Sequence, residues 1–174
     1  MSDHLIPPSE TVHRQMSRQR TTGTQVELSV RRLLHARGYR YRVNLGQLVA
    51  GRRYRGDIVW TRQKLVVFLD GCFWHGCPIH GTTPKSNTLW WRKKLDENAR
   101  RDAQATSLLV DAGWRVLRFW EHEAPEDIVS RIETELECIR LHRDRSQGSS
   151  SRQSAERSDA DVVHGGKRLG QSRC

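Results

Sequence analysis

The chain has no apolar run of the roughly 18 residues needed to cross a bilayer. Residues Met1 to Arg20 are polar and carry arginines, so the apolar centre of a secretion signal is missing. Both absences lead to the expectation of a soluble, cytoplasmic protein. Internal repeats are absent, and cysteine is scarce, with four positions at 72, 77, 138 and 174. In an intracellular chain a close cysteine pair with histidine neighbours reads as a metal site rather than a disulfide, which leaves Cys138 and Cys174 as plain thiols. Acidic residues are outnumbered by basic ones, 20 against 30, giving a net charge of +10. Such a field concentrates polyanions and favours nucleic acid as partner, although charge alone does not establish one.

The 174 residues suffice for one domain with a hydrophobic core and hardly for two. From Arg143 to Cys174 the only strongly apolar side chains are Val162, Val163 and Leu169. A segment so poor in apolar surface cannot offset its ordering entropy, which predicts a disordered basic tail over 143–174. The rest divides into an N-terminal arm over 1–20 and one folded domain over 21–142.

The ordered part reads as one α/β unit. Thr24-Gln25-Val26-Glu27 has the pattern of a capping box; Val26, Val30, Leu33 and Leu34 follow at helical spacing, and Gly38 is a stop. Tyr39 to Leu45 reads as a strand, and Asp57 to Trp60 with Leu65 to Leu69 as a hairpin. Thr88 to Ala112 is helical, in one piece or two, and ends at Gly113. Trp114 to Trp120 alternates like another strand, and a final helix from Pro125 would bury Ile128, Ile132, Leu136 and Ile139. The order α-β-β-β-α-β-α predicts a mixed sheet flanked by helices.

Chemistry concentrates in Cys72-Phe73-Trp74-His75-Gly76-Cys77-Pro78-Ile79-His80. Zinc takes thiolate and imidazole ligands in a tetrahedron, and Cys72, Cys77 and His80 have a suitable spacing. A fourth ligand must come from elsewhere, and His122, after the Trp114–Trp120 strand, is the candidate. A reactive-thiol loop with incidental histidines is the plainer alternative. Phe73 and Trp74 are adjacent between these ligands; they either wedge into a DNA base stack or fill the core. His75, the loop histidine that zinc does not need, is a candidate general base.

Asp57 opens a strand after Arg55-Gly56, where a carboxylate with acidic companions can hold Mg²⁺ at a scissile phosphate. The companions are Glu27, Asp70 and Asp102. Each has an ordinary reading as well: Glu27 as capping-box partner, Asp70 as turn residue before Gly71, Asp102 as a solvated helical charge.

The run Gly56-Asp57-Ile58-Val59, then Val66 through Pro78 with its Gly71-Cys72-Phe73-Trp74-His75 centre, resembles the very-short-patch repair (Vsr) mismatch endonucleases. Pro84-Lys85, Trp91, Lys94, Asn98, Arg101-Asp102, Gly113-Trp114-Arg115-Val116 and Trp120-Glu121-His122 extend the likeness, which covers roughly residues 12 to 130. The resemblance implies a restriction-endonuclease-like, PD-(D/E)XK-type fold and a strand-nicking hydrolase using Mg²⁺, with a structural Zn²⁺. It implies catalytic roles for Asp57 as the Mg²⁺ ligand, Glu27, His75 and Asp102. It implies base-stack wedges at Phe73, Trp74 and Trp91, with Met16 entering from the minor groove. Zinc falls on Cys72, Cys77 and His122, and His80 is the fourth ligand by spacing. The best-known member has a histidine where this chain has Asp70, so Asp70 stands as a further catalytic candidate. The implied reaction is a nick 5′ to the thymine of a T:G pair in double-stranded DNA, by a monomer, with a cytosine-5 methyltransferase and repair proteins as functional companions. Two readings compete: a nuclease of a modification or defence system cutting other DNA, and a zinc-stabilised DNA-binding module without catalysis.

Overall fold

A computed structural model describes residues 24–82, 84 and 87–160, with side chains described as far as Arg145. Met16, Lys85 and the arm over 1–20 lie outside the described residues, as do residues 161–174. The elements are α1 (Gln25–Ala36), β1 (Arg42–Leu45), β2 (Gly56–Trp60), β3 (Leu65–Asp70), α2 (Thr88–Asp111), β4 (Arg115–Trp120) and α3 (Pro125–Ala160). Their order is the expected one. Two boundaries moved inward, since the first strand begins at Arg42 rather than Tyr39 and the fourth at Arg115 rather than Trp114. The long helix is a single piece.

Thr24 caps α1 by accepting the Glu27 N–H on its hydroxyl at 3.3 Å. Beyond the C-terminal end, Gly38 adopts φ +85°, a conformation glycine takes without a Cβ penalty. The four strands form one sheet in the order β1-β2-β3-β4. β1–β2 and β2–β3 are antiparallel, and β3–β4 is parallel with Phe68 opposite Arg118 and Asp70 opposite Trp120. A parallel neighbour needs a crossover, and α2 supplies it.

Alternation along the strands gives the sheet two faces. Val59 and Val66 pack with Leu109 of α2, rimmed by Leu45, Leu48, Val49, Phe68, Trp114 and Val116. Ile58, Leu65 and Val67 point to the opposite face and are fully buried. That face needs a second apolar layer, and α1 (Val30, Leu34) with the first turns of α3 (Ile128, Ile132) provides fully buried aliphatic stripes. Arg37 at the end of α1 pairs with Glu133 of α3 at 2.6 Å. The fold is thus a mixed α/β sheet with helices.

The last helix differs from expectation, continuing past Arg143 to Ala160 where composition predicted loss of order. Residues 126–160 hold no proline to break a helix already nucleated on buried Ile128 and Ile132. The chain divides into compact units over 1–133 and 134–174, and α3 runs through the division.

Candidate active site and metal centre

Strand polarity explains why the acidic residues meet. Antiparallel β2 and β3 bring the start of β2 beside the end of β3, so Asp57 lies next to Leu69, whose N–H donates to Asp57 Oδ2 at 2.7 Å. Parallel β4 then carries Arg118 alongside the end of β3. Burial is the leading influence on Asp57 and lifts its pKa to about 6; the charges of Glu27 and Asp70 add to the lift, while the Leu69 N–H and Arg118 oppose it. Glu27 and Asp70 are themselves buried, at 3% and 7% exposure. Glu27 takes Arg31 as a side-chain partner at 3.3 Å. The Glu27 N–H to Thr24 bond of the capping box is present, and the Glu27 charge is felt at Asp57.

Helix α2 carries a buried stripe at Trp91, Asn98, Ala105 and Leu109. Asp102 falls four residues after Asn98 and three before Ala105, so it shares that inward face instead of being a solvated charge. His75 Nδ1 lies 2.5 Å from Asp102 Oδ2 and 3.6 Å from Asp70 Oδ1. Burial works against the imidazolium, but the Asp102 hydrogen bond and the Asp70 charge prevail and hold His75 above its ordinary pKa. For Asp102 burial pushes upward, and His75 with Arg118 and Arg101 brings the carboxyl below its usual range. Asp70, His75, Asp102 and Arg118 line an open pocket of about 220 Å³ with Ala99, Phe119 and Trp120.

Arg118 went unnoticed in the sequence. It grips Asp70 through Nε and Nη2, both at 2.7 Å, and its guanidinium carbon lies 4.9 Å from the Phe68 ring centre. A cation in the interior of the strand, between Leu117 and Phe119, was the available signal. Asp70 is therefore neither a bare turn residue nor an open ligand: both its oxygens are engaged by one guanidinium.

The loop after β3 is fixed at several points. Cys72 N–H donates to Glu121 Oε1 at 2.6 Å, and Asn98 Nδ2 donates to the Trp74 carbonyl at 3.0 Å. Cys72, Cys77, His80 and His122 gather so that one ligand atom from each lies within 4.8 Å of the others. Cys72 Sγ is 3.1 Å and Cys77 Sγ 3.7 Å from His122 Nδ1. Ligands of a tetrahedral ion at roughly 2.0–2.3 Å stand roughly 3.3–3.8 Å apart, so this donor set fits such an ion after small side-chain shifts. All four residues named from spacing and resemblance come together, which disfavours the incidental-histidine alternative.

The aromatic residues separate by depth. Phe73 and Trp74 are half-buried, with ring centres 5.1 Å apart. Trp91 is 2% exposed and supports both from below, 5.4 Å from Phe73 and 6.2 Å from Trp74. Its place on the buried stripe of α2 makes Trp91 the floor of the cluster in this structure.

Comparison with known proteins agrees with this geometry. Residues 6–80 match the family profile described as DNA mismatch endonuclease Vsr. The chain is 46% identical over 120 residues to the Type II nicking enzyme V.NaeI of Lentzea aerocolonigenes, covering 68% of this chain and 72% of that protein. It is 39% identical over 125 residues to the Type II nicking enzyme V.XorIIP of Xanthomonas oryzae pv. oryzae, covering 71% and 87%. With the DNA mismatch endonuclease Vsr of Escherichia coli K12 it shares 35% over 103 residues, 58% of this chain and 63% of the relative. On the extent of these matches, the chain belongs to the Vsr family of DNA endonucleases.

Proposed function

We propose that this endonuclease nicks one strand of double-stranded DNA 5′ to the thymine of a T:G mismatch, and that it uses Mg²⁺ on a PD-(D/E)XK-type site. The observation that carries the chemistry is the His75–Asp102 pair at 2.5 Å, opening on the same pocket as Asp70 and Arg118 and coupled electrostatically to Asp57 through Asp70. Asp57 with Glu27 would hold the divalent cation, and the fit lies in their mutual repulsion, which a cation would relieve. Bound there, Mg²⁺ polarises a phosphate oxygen and stabilises the charge that develops on it. His75 takes the proton from the attacking water at Nε2. Asp102 accepts from Nδ1, which fixes the tautomer and stabilises the imidazolium that forms.

Zinc on Cys72, Cys77, His80 and His122 is structural in this reading, since four protein ligands leave no open position for substrate. It pins the loop from which Phe73 and Trp74 wedge beside the mismatch, with Trp91 bracing them. A wobble pair opens at lower cost than a matched pair, so discrimination comes partly from deformability. Residues 1–20, with Met16, act as a DNA-contacting arm, and a monomer suffices for a single nick. A cytosine-5 methyltransferase is the natural companion, because deamination of its product creates T:G pairs.

A second reading is favoured by the relatives' names: V.NaeI and V.XorIIP are called nicking enzymes without mention of a mismatch. It keeps the nick and relaxes the base-pair requirement. Labelled duplexes carrying T:G or matched C:G in varied flanks, with Mg²⁺ and an Asp57→Ala blank, separate the two. Nicking confined to the T:G strand supports the mismatch reading, and equal nicking of both duplexes supports the second. Absence of nicking under every flank would leave only DNA binding.

A further inference from the structure

The catalytic histidine stands between two carboxylates, and the structure contains a device for choosing one of them. His75 Nδ1 is 2.5 Å from Asp102 and 3.6 Å from Asp70, so either can serve as acceptor after a small ring rotation. We propose that Arg118 is a positioning residue of the nicking reaction: it occupies both oxygens of Asp70 and braces Asp102, leaving Asp102 as the acceptor that orients His75. The inference rests on the reading of His75 as general base.

All three guanidinium nitrogens of Arg118 have protein acceptors. Nε and Nη2 form the two 2.7 Å bonds to Asp70, Nη2 also stands 3.5 Å from Asp102 Oδ1, and Nη1 donates to the Asp102 carbonyl at 3.5 Å and Thr106 Oγ1 at 3.4 Å. The fork is thus spent on the protein and is not a phosphate-binding arm. The Phe68 ring beneath it and the rigid β3–β4 register fix its position. Asp70 is nearly buried, and without the guanidinium its carboxylate would be unpaired in a site where charge is poorly hydrated. Its nearest remaining cationic partner is His75. The imidazole would be drawn from Asp102 toward Asp70, and Nε2 would leave the line of the attacking water. A misplacement of about 1 Å at a reacting group costs on the order of 10²-fold in rate.

The test is single-turnover nicking of a T:G duplex by Arg118→Gln, Arg118→Lys, Asp70→Asn with Arg118→Gln, and His75→Ala, beside the parent chain. DNA affinity is read by anisotropy, thermal unfolding is followed, and the low-field Nδ1 proton of His75 is read by NMR. Arg118→Gln is expected to lose roughly 10²-fold in rate with unchanged DNA affinity and to shift or lose the His75 resonance. Arg118→Lys, which keeps the charge without the fork, should fall between, and it decides the matter if the glutamine variant does not fold. Adding Asp70→Asn should restore at least roughly tenfold of the lost rate, because the competing negative charge is gone and a neutral amide oxygen draws the imidazole far less. A merely structural arginine predicts the opposite, with the double variant no faster than the single.

A normal rate in both arginine variants, a loss confined to DNA affinity, or no recovery in the double variant overturns the proposal while leaving the general-base reading intact, provided His75→Ala is inactive. A His75→Ala enzyme at the parent rate overturns both.

Discussion

Asp57 shows how a site residue can oppose the fold it belongs to. Its pKa of about 6 stands above the ordinary 3.8, chiefly because burial disfavours the charged form. Between those values the folded protein binds a proton that the unfolded chain has released, so stability falls as pH rises through that window and stays reduced above it. In protein without added Mg²⁺, Asp57→Asn should therefore raise unfolding free energy by on the order of 2–3 kcal/mol at pH 8 and far less at pH 4, while abolishing nicking. Denaturant titrations at the two pH values would check this, and equal effects at both would refute it. His75 has the same pH slope, although its charged form is favoured by the fold rather than opposed. Its folded pKa is raised, so its contribution to stability is complete below the ordinary 6.5 and is lost as pH rises through the folded value. An NMR titration of Mg²⁺-free protein should place its midpoint above 6.5, and Asp102→Asn should move that midpoint down. A midpoint unmoved by the substitution would deny Asp102 its part.

Among the elements, the hairpin β2–β3 sets the position of Asp57, and its tightest point is Gly56. A Cβ there would stand 2.3 Å from Val66 Cγ2 and 2.8 Å from Val59 Cγ2. Gly56→Ala is expected to cost about 1–3 kcal/mol of stability and to lower nicking as well, since the neighbouring carboxylate must shift with the strand. Chemical denaturation with parallel activity assays reads both, and an unchanged midpoint would argue that the hairpin is loose. The metal loop gives another prediction at this scale. Treatment with a zinc-selective chelator should lower the thermal midpoint and unpin Phe73 and Trp74, with about 2–4 °C lost for each kcal/mol of binding energy. A midpoint indifferent to the chelator would speak against a structural ion.

These elements were largely legible, because hydrophobic periodicity, the Thr24 cap and the glycine stops are local signals. The gathering of Cys72, Cys77, His80 and His122 was legible for a related reason: three lie on one short loop, and their type suggests a shared site. What escaped was non-local. Nothing in Arg115–Trp120 read alone says that Arg118 will lie beside Asp70, since the strand pairing that joins them spans the whole of α2. The burial of Trp91 escaped for the opposite reason. Its residue type suits stacking, whereas its position, seven residues before Asn98 on the buried stripe, sends it inward. The continuation of the last helix to Ala160 was not legible, because composition reports how little apolar surface a segment can bury, not where an existing helix ends.

For the molecule as a whole, a net charge of +10 makes DNA association an ion-exchange process. The apparent KM for a T:G duplex should rise steeply with salt, each neutralised phosphate adding about 0.9 to the log–log slope, while the single-turnover rate at saturating enzyme stays flat. A rate that falls in parallel with affinity would place the salt sensitivity in the chemical step. The parallel pairing of β3 with β4 has a further consequence, for how the chain reaches this state. Shifting β4 by one residue would turn Arg118 to the other face of the sheet and leave Asp70 buried without its cation. A misaligned chain would thus be inert and also carry an uncompensated charge in its interior, so the ion pair penalises the wrong register during folding. Docking of β4, which must close across the whole of α2, is then the step at which a correct fold and a competent enzyme become the same outcome.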